Sequence, residues 1–430
     1  MHPLTRLIRD DMKPALGVTE PGAIALAVAT ARRHTEGSVK QVALRLNSGM
    51  YKNAFTCGIP GTERTGILCA AALGAVGADP AKGLECLDGI TEVQAGEAEA
   101  LVKEGKVRAE LGEITSRILI EARVTTDEGN AEAVIRDSHT NIVLIRENGV
   151  PVFEADGGVE QDAGHQTEEP AEIHSYTLEQ MVQYVSAVPL EEIIFIREAF
   201  PMNLALLREG LESDRTTFGP YLLRANGGEL ISGDEQKTAS LLCNGAIEAR
   251  VLGLSRPAMS ITGSGAHGII ATMPLYAAHR VRGYSEEALL RATALSYLVC
   301  MYIKEYSGKL SAFCGCAIAA GTGMACGLVY LRGGTLEQMA GTIRNMAGSI
   351  TGMICDGGNQ GCAMKGVAAV DAAWRSVDLA MAGVSVGGIH GINASTPEET
   401  MRNMGKIASP GMVGTEETII DILTNKQLGD

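Results

Sequence analysis

The spacing of apolar positions divides this chain into helix-patterned and strand-patterned parts. Residues 1–34 read as helical. Thr19 is the expected N-cap of a second helix, with Glu20 and Pro21 in its first turn and GAIALAVATARRH as its buried body. Gln41 to Leu46 alternates like a strand. Residues 47–66 (NSGMYKNAFTCGIPGTERTG) are polar and punctuated by glycine, and read as a long functional loop. Segments 67–77 and 80–103 read as helices. Lys106 to Glu147 reads as strands: 118–125, 131–136 and 141–146 are rich in Ile and Val and are separated by the turn signals DEGN and DSHT. Asn148-Gly149 is a further turn before Val152-Phe153. From Ile173 onward strand signals nearly vanish. Helical patterns run through 177–187, 190–211, 235–254, 284–306, 310–331, 335–350, 363–382, 397–407 and 415–424. Glu416 and Glu417 give the last of these a dipole-matched start behind Thr415.

The predicted fold class is α+β: a small mixed α/β domain over 36–156, plus a large, mostly α-helical domain over 173–430 that carries the cluster site argued below. The N-terminal helix 1–35 is assigned to the helical domain. Residues 157–172 form the linker, within an acidic stretch poor in apolar residues (DGGVEQDAGHQTEEPAE, 156–172). No internal repeat of solenoid period is present.

Composition sharpens this picture in three ways. Aromatics are 4% of the 430 residues, so the core is built from Ala, Leu, Ile, Val and Met, and the 52 scattered glycines point to close helix packing. The net charge of −15, from 36 basic and 51 acidic residues, argues against nucleic acid and anionic membrane as partners. Two uncharged runs, 257–278 (His267 counted as neutral) and 310–331, are long enough to span a bilayer. Their Gly, Ala, Ser, Thr and Cys content reads instead as buried segments of the helical domain. MHPLTRLIRDDMK carries no secretory signal, so the ten cysteines are expected to be reduced and the protein cytoplasmic. Cys69, Cys86, Cys243, Cys300 and Cys326 sit in apolar contexts and read as core.

The other thiols carry chemistry. Cys355 and Cys362 bracket an Asp-Gly-Gly-Asn-Gln-Gly loop, and Cys362 opens a predicted helix, where the dipole favours thiolate. LSAFCGC (310–316) offers Cys314 as a third ligand. Thiolates bind metals and iron–sulfur clusters, and glycines let a loop wrap a bulky inorganic group. The spacing fits no common ferredoxin pattern, so the residues alone leave several metals open. His139, in SHTN, reads either as a turn cap or as a group that binds a carboxylate or moves a proton. His267, inside TGSGAHG, needs a partner in its apolar surroundings and is favoured as a site residue. Ser264 and Gly265, with the amides of 263–268, form either an anion nest or a tight helix contact. Glu20, Lys52, Asn53, Asn141 and Asn359 are candidate polar walls, and His390 reads as a loop histidine ahead of one that reaches the cluster region. Lys309 and Lys365 are not read as Schiff-base lysines, because nothing like a phosphate cradle for pyridoxal accompanies them.

Together, ALGVTEP (15–21), KN…PGT (52–62), HTNIV (139–143), GSGAHGI (263–269), LSAFC (310–314) and GMICDGGNQGCAMK (352–365) resemble the L-cysteine desulfidase family. That family is related to the alpha part of the bacterial iron–sulfur L-serine dehydratases. The motifs occur in the same order over nearly the whole chain. The resemblance implies a β-eliminating lyase with an oxygen-sensitive [4Fe–4S] cluster and no pyridoxal phosphate. It implies Cys314, Cys355 and Cys362 as cluster ligands, with one iron left open as a Lewis acid. Cysteine would yield sulfide, and serine water, each with ammonia and pyruvate. One departure stands out. The family's ALGCTEP, with its catalytic cysteine, is ALGVTEP here, so position 18 is Val18. Either another residue takes that role, with Cys57 the first candidate and Cys316 a second, or the substrate differs, or the activity is lost. The first expectation is thus a carbon–sulfur lyase acting on a small amino acid. A serine/threonine-type dehydratase or hydro-lyase is the alternative, and a non-catalytic cluster-bearing sensor or scaffold a third. Assembly into a homo-oligomer is left open by the sequence.

Overall fold

The computed structural model describes residues 1–155, 171–308 and 310–426 of the chain. Most of the expected linker, residues 157–170, and Lys309 lie outside the described residues.

The chain opens with helix α1 (Pro3–Asp11), strand β1 (Lys13–Leu16) and helix α2 (Thr19–Arg32). Alternating apolar positions then build strands β2 (Val39–Leu46), β3 (Val107–Leu111), β4 (Leu119–Thr126), β5 (Asn130–Arg136), β6 (Ile142–Glu147) and β7 (Val150–Glu154). They form one six-stranded sheet in the order β3-β2-β4-β5-β6-β7, parallel only between β2 and β3. The period-2 pattern puts Val42, Leu44 and Leu46 on one face. Val124, Ala122 and Ile120 stand opposite them on β4, and Ala131, Ala133 and Ile135 next on β5. Each fully buried Val, Leu or Ile on that face contributes roughly 1.5–3 kcal/mol. Helix α2 covers this face, and its buried residues run almost unbroken from Thr19 to Ala31, as expected for a helix that is apolar all round. The Asn148-Gly149 turn forms as read, with both residues at positive φ.

Between β2 and β3 run helices α3 (Ser48–Ala54), α4 (Gly66–Val76) and α5 (Glu92–Lys103). After residue 171 the described chain is helical apart from one strand. The helices are α6 (Leu178–Ala187), α7 (Leu190–Ile193), α8 (Ala199–Glu212), α9 (Phe218–Ala225), α10 (Glu235–Val251), α11 (Gly265–Arg282), α12 (Glu286–Ser307), α13 (Gly321–Leu331), α14 (Leu336–Ile350), α15 (Gly361–Met381), α16 (Pro397–Lys406) and α17 (Thr415–Thr424). The remaining strand, β8 (Pro257–Ser260), pairs antiparallel with β1. Helices α10 to α13 are buried on nearly every side and form the centre of the helical part. The fold class is α+β, with a large helical region, as the patterning implied.

Several local expectations change. Val18, not Thr19, takes the N-cap position of α2. The polar stretch after Leu46 is not all loop, because 48–54 is helical. Segment 80–103 is a short 3-10 turn followed by α5, not one helix. The uncharged run 310–331 begins as an extended segment and enters α13 through a π-turn at Cys316–Ala320. The other run, 257–278, is β8 followed by α11. Among the described residues no helix is long and apolar enough to cross a membrane.

Candidate active site

Three chain crossings bring the chemistry together. The β1–β8 ribbon, with Lys13 opposite Ser260 and Leu16 opposite Pro257, sets Val18–Glu20 beside Thr262–His267. The segments 312–314 and 353–355 form a second pairing. The Cys314 amide donates to the Met353 carbonyl, and the Cys355 amide to the Ala312 carbonyl, both at 2.8 Å. In the third, the Gly358 amide donates to the Asn53 carbonyl at 3.1 Å and ties the cysteine loop to α3. Gly357 makes this approach possible. Its φ is +105°, and a Cβ there would lie 2.4 Å from the Lys52 carbonyl oxygen.

These crossings enclose a cavity of about 350 Å³. Cys314, Cys316, Cys355 and Cys362 line it, with Val18, Glu20, Asn53, His139, Arg250, Ser264, His267 and Lys304. Burial and mutual proximity govern the thiols. Cys362 is pushed up to about 12, mostly by burial and then by Cys314. Cys314 is raised by the adjacent Cys316 thiol and by burial. Cys355 is raised by burial, which the Lys52 ammonium partly offsets. Lys365, in α15, pairs with Asp356 and adds positive charge beside Cys362. Without a metal the three thiols are therefore protonated, and a metal group must displace the protons. Among the described residues no set of His, Cys, Asp or Glu converges tightly enough to chelate a single ion.

Glu20, His139 and His267 line the same cavity. Burial alone would raise the Glu20 carboxyl. His139 at 4.0 Å, the Asn53 amide at 2.8 Å and the Arg250 charge outweigh burial and hold it ionised. His267 stands in the first turn of α11 and is held down to about 3, mostly by burial and then by Lys304 and Arg250. Thr262 Oγ1 is within hydrogen-bond distance of both the Ile261 carbonyl, at 2.7 Å, and His267 Nδ1. The Nε2 edge of the ring faces Gly315, where a Cβ would come within 2.8 Å.

Sequence-predicted residues fall in different places. Cys314, Cys355, Cys362, His139, His267, Ser264 and Asn53 line the one cavity. Gly265 does not; it gives room to the Arg250 side chain, whose Nε would lie 2.6 Å from a Cβ at 265. Lys52 is wholly buried behind the wall and paired with Glu416. Asn141 caps its own turn, donating to the Arg136 carbonyl at 3.0 Å. Asn359 organises the cysteine loop, accepting from the Gly361 amide at 2.8 Å. Cys57 is fully buried outside the lining residues, its thiol raised well above its usual value by burial and then by Glu20. Arg250 and Lys304 escaped the sequence reading. Each stands in the last turn of its helix close to an acidic residue, Glu248 and Glu305, and reads as solvated.

A family model described as "Serine dehydratase alpha chain" matches residues 81–421. A UPF0597 protein of Clostridium botulinum (strain Langeland) is 40% identical over 425 residues, 98% of each chain. A UPF0597 protein of Caldanaerobacter subterraneus subsp. tengcongensis is 36% identical, covering 99% of this chain and 98% of the relative. One from Aeromonas hydrophila subsp. hydrophila is also 36% identical, covering 98% and 96%.

Proposed function

The chain belongs to the serine dehydratase alpha chain family, and from that premise we propose that it is a β-eliminating lyase for a small L-amino acid carrying a β-hydroxyl or β-thiol. The observation that carries this reading is the joint presence of Cys314, Cys355, Cys362, Glu20, His139 and His267 on one cavity. The donor set fits a [4Fe–4S] cluster. Three thiols line one space, Cys314 buried and Cys355 half-buried on the two paired segments and Cys362 half-buried at the start of α15, with Lys365 and Lys52 supplying charge that favours thiolate. Cys314, Cys355 and Cys362 would hold the cluster. When bound, it supplies Lewis acidity toward an oxygen or sulfur leaving group.

The chain's own groups do the rest. His267 Nε2 takes the α-proton. The Cα–H electron pair becomes the Cα=Cβ bond, and the Cβ–O or Cβ–S bond breaks with its electrons on the leaving group. His139, held by Glu20, returns a proton to that group. The resulting aminoacrylate tautomerises to the imine and hydrolyses to ammonia and a keto acid, pyruvate in the case of serine or cysteine. His267 is a weak base, mostly through burial and then through the Lys304 and Arg250 charges beside it. An anionic substrate entering between these cations raises it toward a working value.

Serine ranks ahead of cysteine as substrate. The family description favours a hydroxyl leaving group, and Val18 in the cavity wall supplies no thiol where the desulfidases have one. The test is anaerobic purification with iron and sulfide quantification, followed by keto-acid assays with L-serine, L-threonine and L-cysteine. Pyruvate from serine is expected. Iron-loaded protein that releases keto acid from none of the three would overturn the reading.

A further inference from the structure

We propose that Arg250 is the receptor for the substrate carboxylate and that, with Glu20 at the ammonium end, it restricts the cavity to small zwitterionic α-amino acids. The inference rests on the lyase reading for the reaction, but not for the chemistry of the ligand.

Arg250 stands in the last turn of α10, is 5% exposed and lines the cavity. Its Nε has no hydrogen-bond partner, and among the described residues its guanidinium enters no ion pair. Five donors on a buried, always charged group are costly to leave unmatched. An anion that reaches this guanidinium recovers that cost, and a carboxylate matches its planar fork with two parallel hydrogen bonds.

Of the other cations that line the cavity, Lys13 is exposed, and the two that are not are committed elsewhere. Lys304 donates to the Gly308 carbonyl at 2.8 Å and to the Ser311 hydroxyl at 3.1 Å, and Lys365 is paired with Asp356. Gly265 leaves room for the Arg250 side chain, since a Cβ there would crowd both Nε and Cδ.

Glu20 sets the other half of the selection. It is ionised, buried and in the same cavity, and its charge is felt at Arg250 although the two form no ion pair. A ligand with an ammonium next to its carboxylate satisfies both groups. A dicarboxylate or a phosphate would press a second anion toward Glu20, and a simple amine would leave Arg250 unmatched.

Calorimetry on the iron-loaded protein tests this with unreactive probes: L-alanine, L-alaninamide and propionate. Wild type is expected to bind L-alanine and to bind the other two at least roughly tenfold more weakly. In Arg250→Gln, affinity for L-alanine should fall to that for L-alaninamide, with iron content unchanged. Arg250→Lys keeps the charge without the fork and should fall between, which covers a glutamine variant that does not fold. The inference is overturned if wild type binds none of the probes, if it binds L-alaninamide as well as L-alanine, or if Arg250→Gln binds L-alanine as wild type does. Should L-alanine bind through Arg250 while serine and cysteine remain intact, the receptor stands and the lyase reading falls. Should serine be consumed with an unchanged KM in Arg250→Gln, the lyase reading stands and the receptor falls.

Discussion

The Lys52 ammonium lies 2.8 Å from the Glu416 carboxylate, and neither side chain is more than 1% exposed. Ser48 donates to the same carboxylate, so α17 is fastened to α3 directly behind the cysteine loop. A buried pair of this kind gives little net stability, but removal of one partner strands the other charge in a dry site. Lys52→Met and Glu416→Gln should each cost about 3–5 kcal/mol in chemical denaturation, a large share of a typical folding free energy. The double variant Lys52→Met/Glu416→Leu should recover part of that loss. The Lys52 charge also favours the Cys355 thiolate, so both single variants should retain less iron. Single variants as stable as wild type would show that the pair is dispensable.

Cys314→Ala, Cys355→Ala and Cys362→Ala should each lose iron and lyase activity together in anaerobically purified protein. Cys57→Ala should keep both, because that thiol is buried outside the lining residues and held protonated. Iron quantification and the visible absorption of the protein check this directly. Full iron content in all three ligand variants would remove the cluster from the site.

Gly265→Ala probes the Arg250 position from the far side. The added methyl would lie 2.6 Å from Arg250 Nε and 3.0 Å from Ala258 Cβ, so the guanidinium has to shift. The KM for serine should rise by roughly tenfold while kcat changes much less, as for lost ground-state contacts. Equal losses in kcat and kcat/KM would place the effect in the transition state instead.

Fold class was legible in the sequence because period-2 and helical runs are local signals, and the sheet face of Val42, Ile120 and Ile135 follows them directly. The four-residue strands β1 and β8 were not legible, because strands that short carry no period and are made by pairing across the chain. The cysteines and His267 were visible as residue types in unusual contexts. Arg250 was hidden because an arginine at the end of a helix looks like a solvated, dipole-matched residue until its burial is known. Glu416 misled in the same way. It reads as a first-turn acid and is one, yet its carboxylate is turned inward to Lys52.

His267 makes a prediction about acid stability. Its folded value is about 3 against an ordinary value of 6.5, because burial and then Lys304 and Arg250 disfavour the charged ring. Between those values the unfolded chain binds a proton that the folded chain refuses. The stabilisation is therefore fully present above pH 6.5 and is lost as pH falls toward 3. Each pH unit in that window should cost up to about 1.4 kcal/mol from this group alone. Glu20, held below its usual 4.5, adds an effect of the same sign only at lower pH. Denaturation curves of wild type and His267→Asn at neutral pH and at about pH 5 separate the two groups. Wild type should lose more stability over that interval than His267→Asn, whose amide does not titrate. Equal losses in the two proteins would mean that His267 is already charged in the fold, which would also remove it as the base that accepts the α-proton.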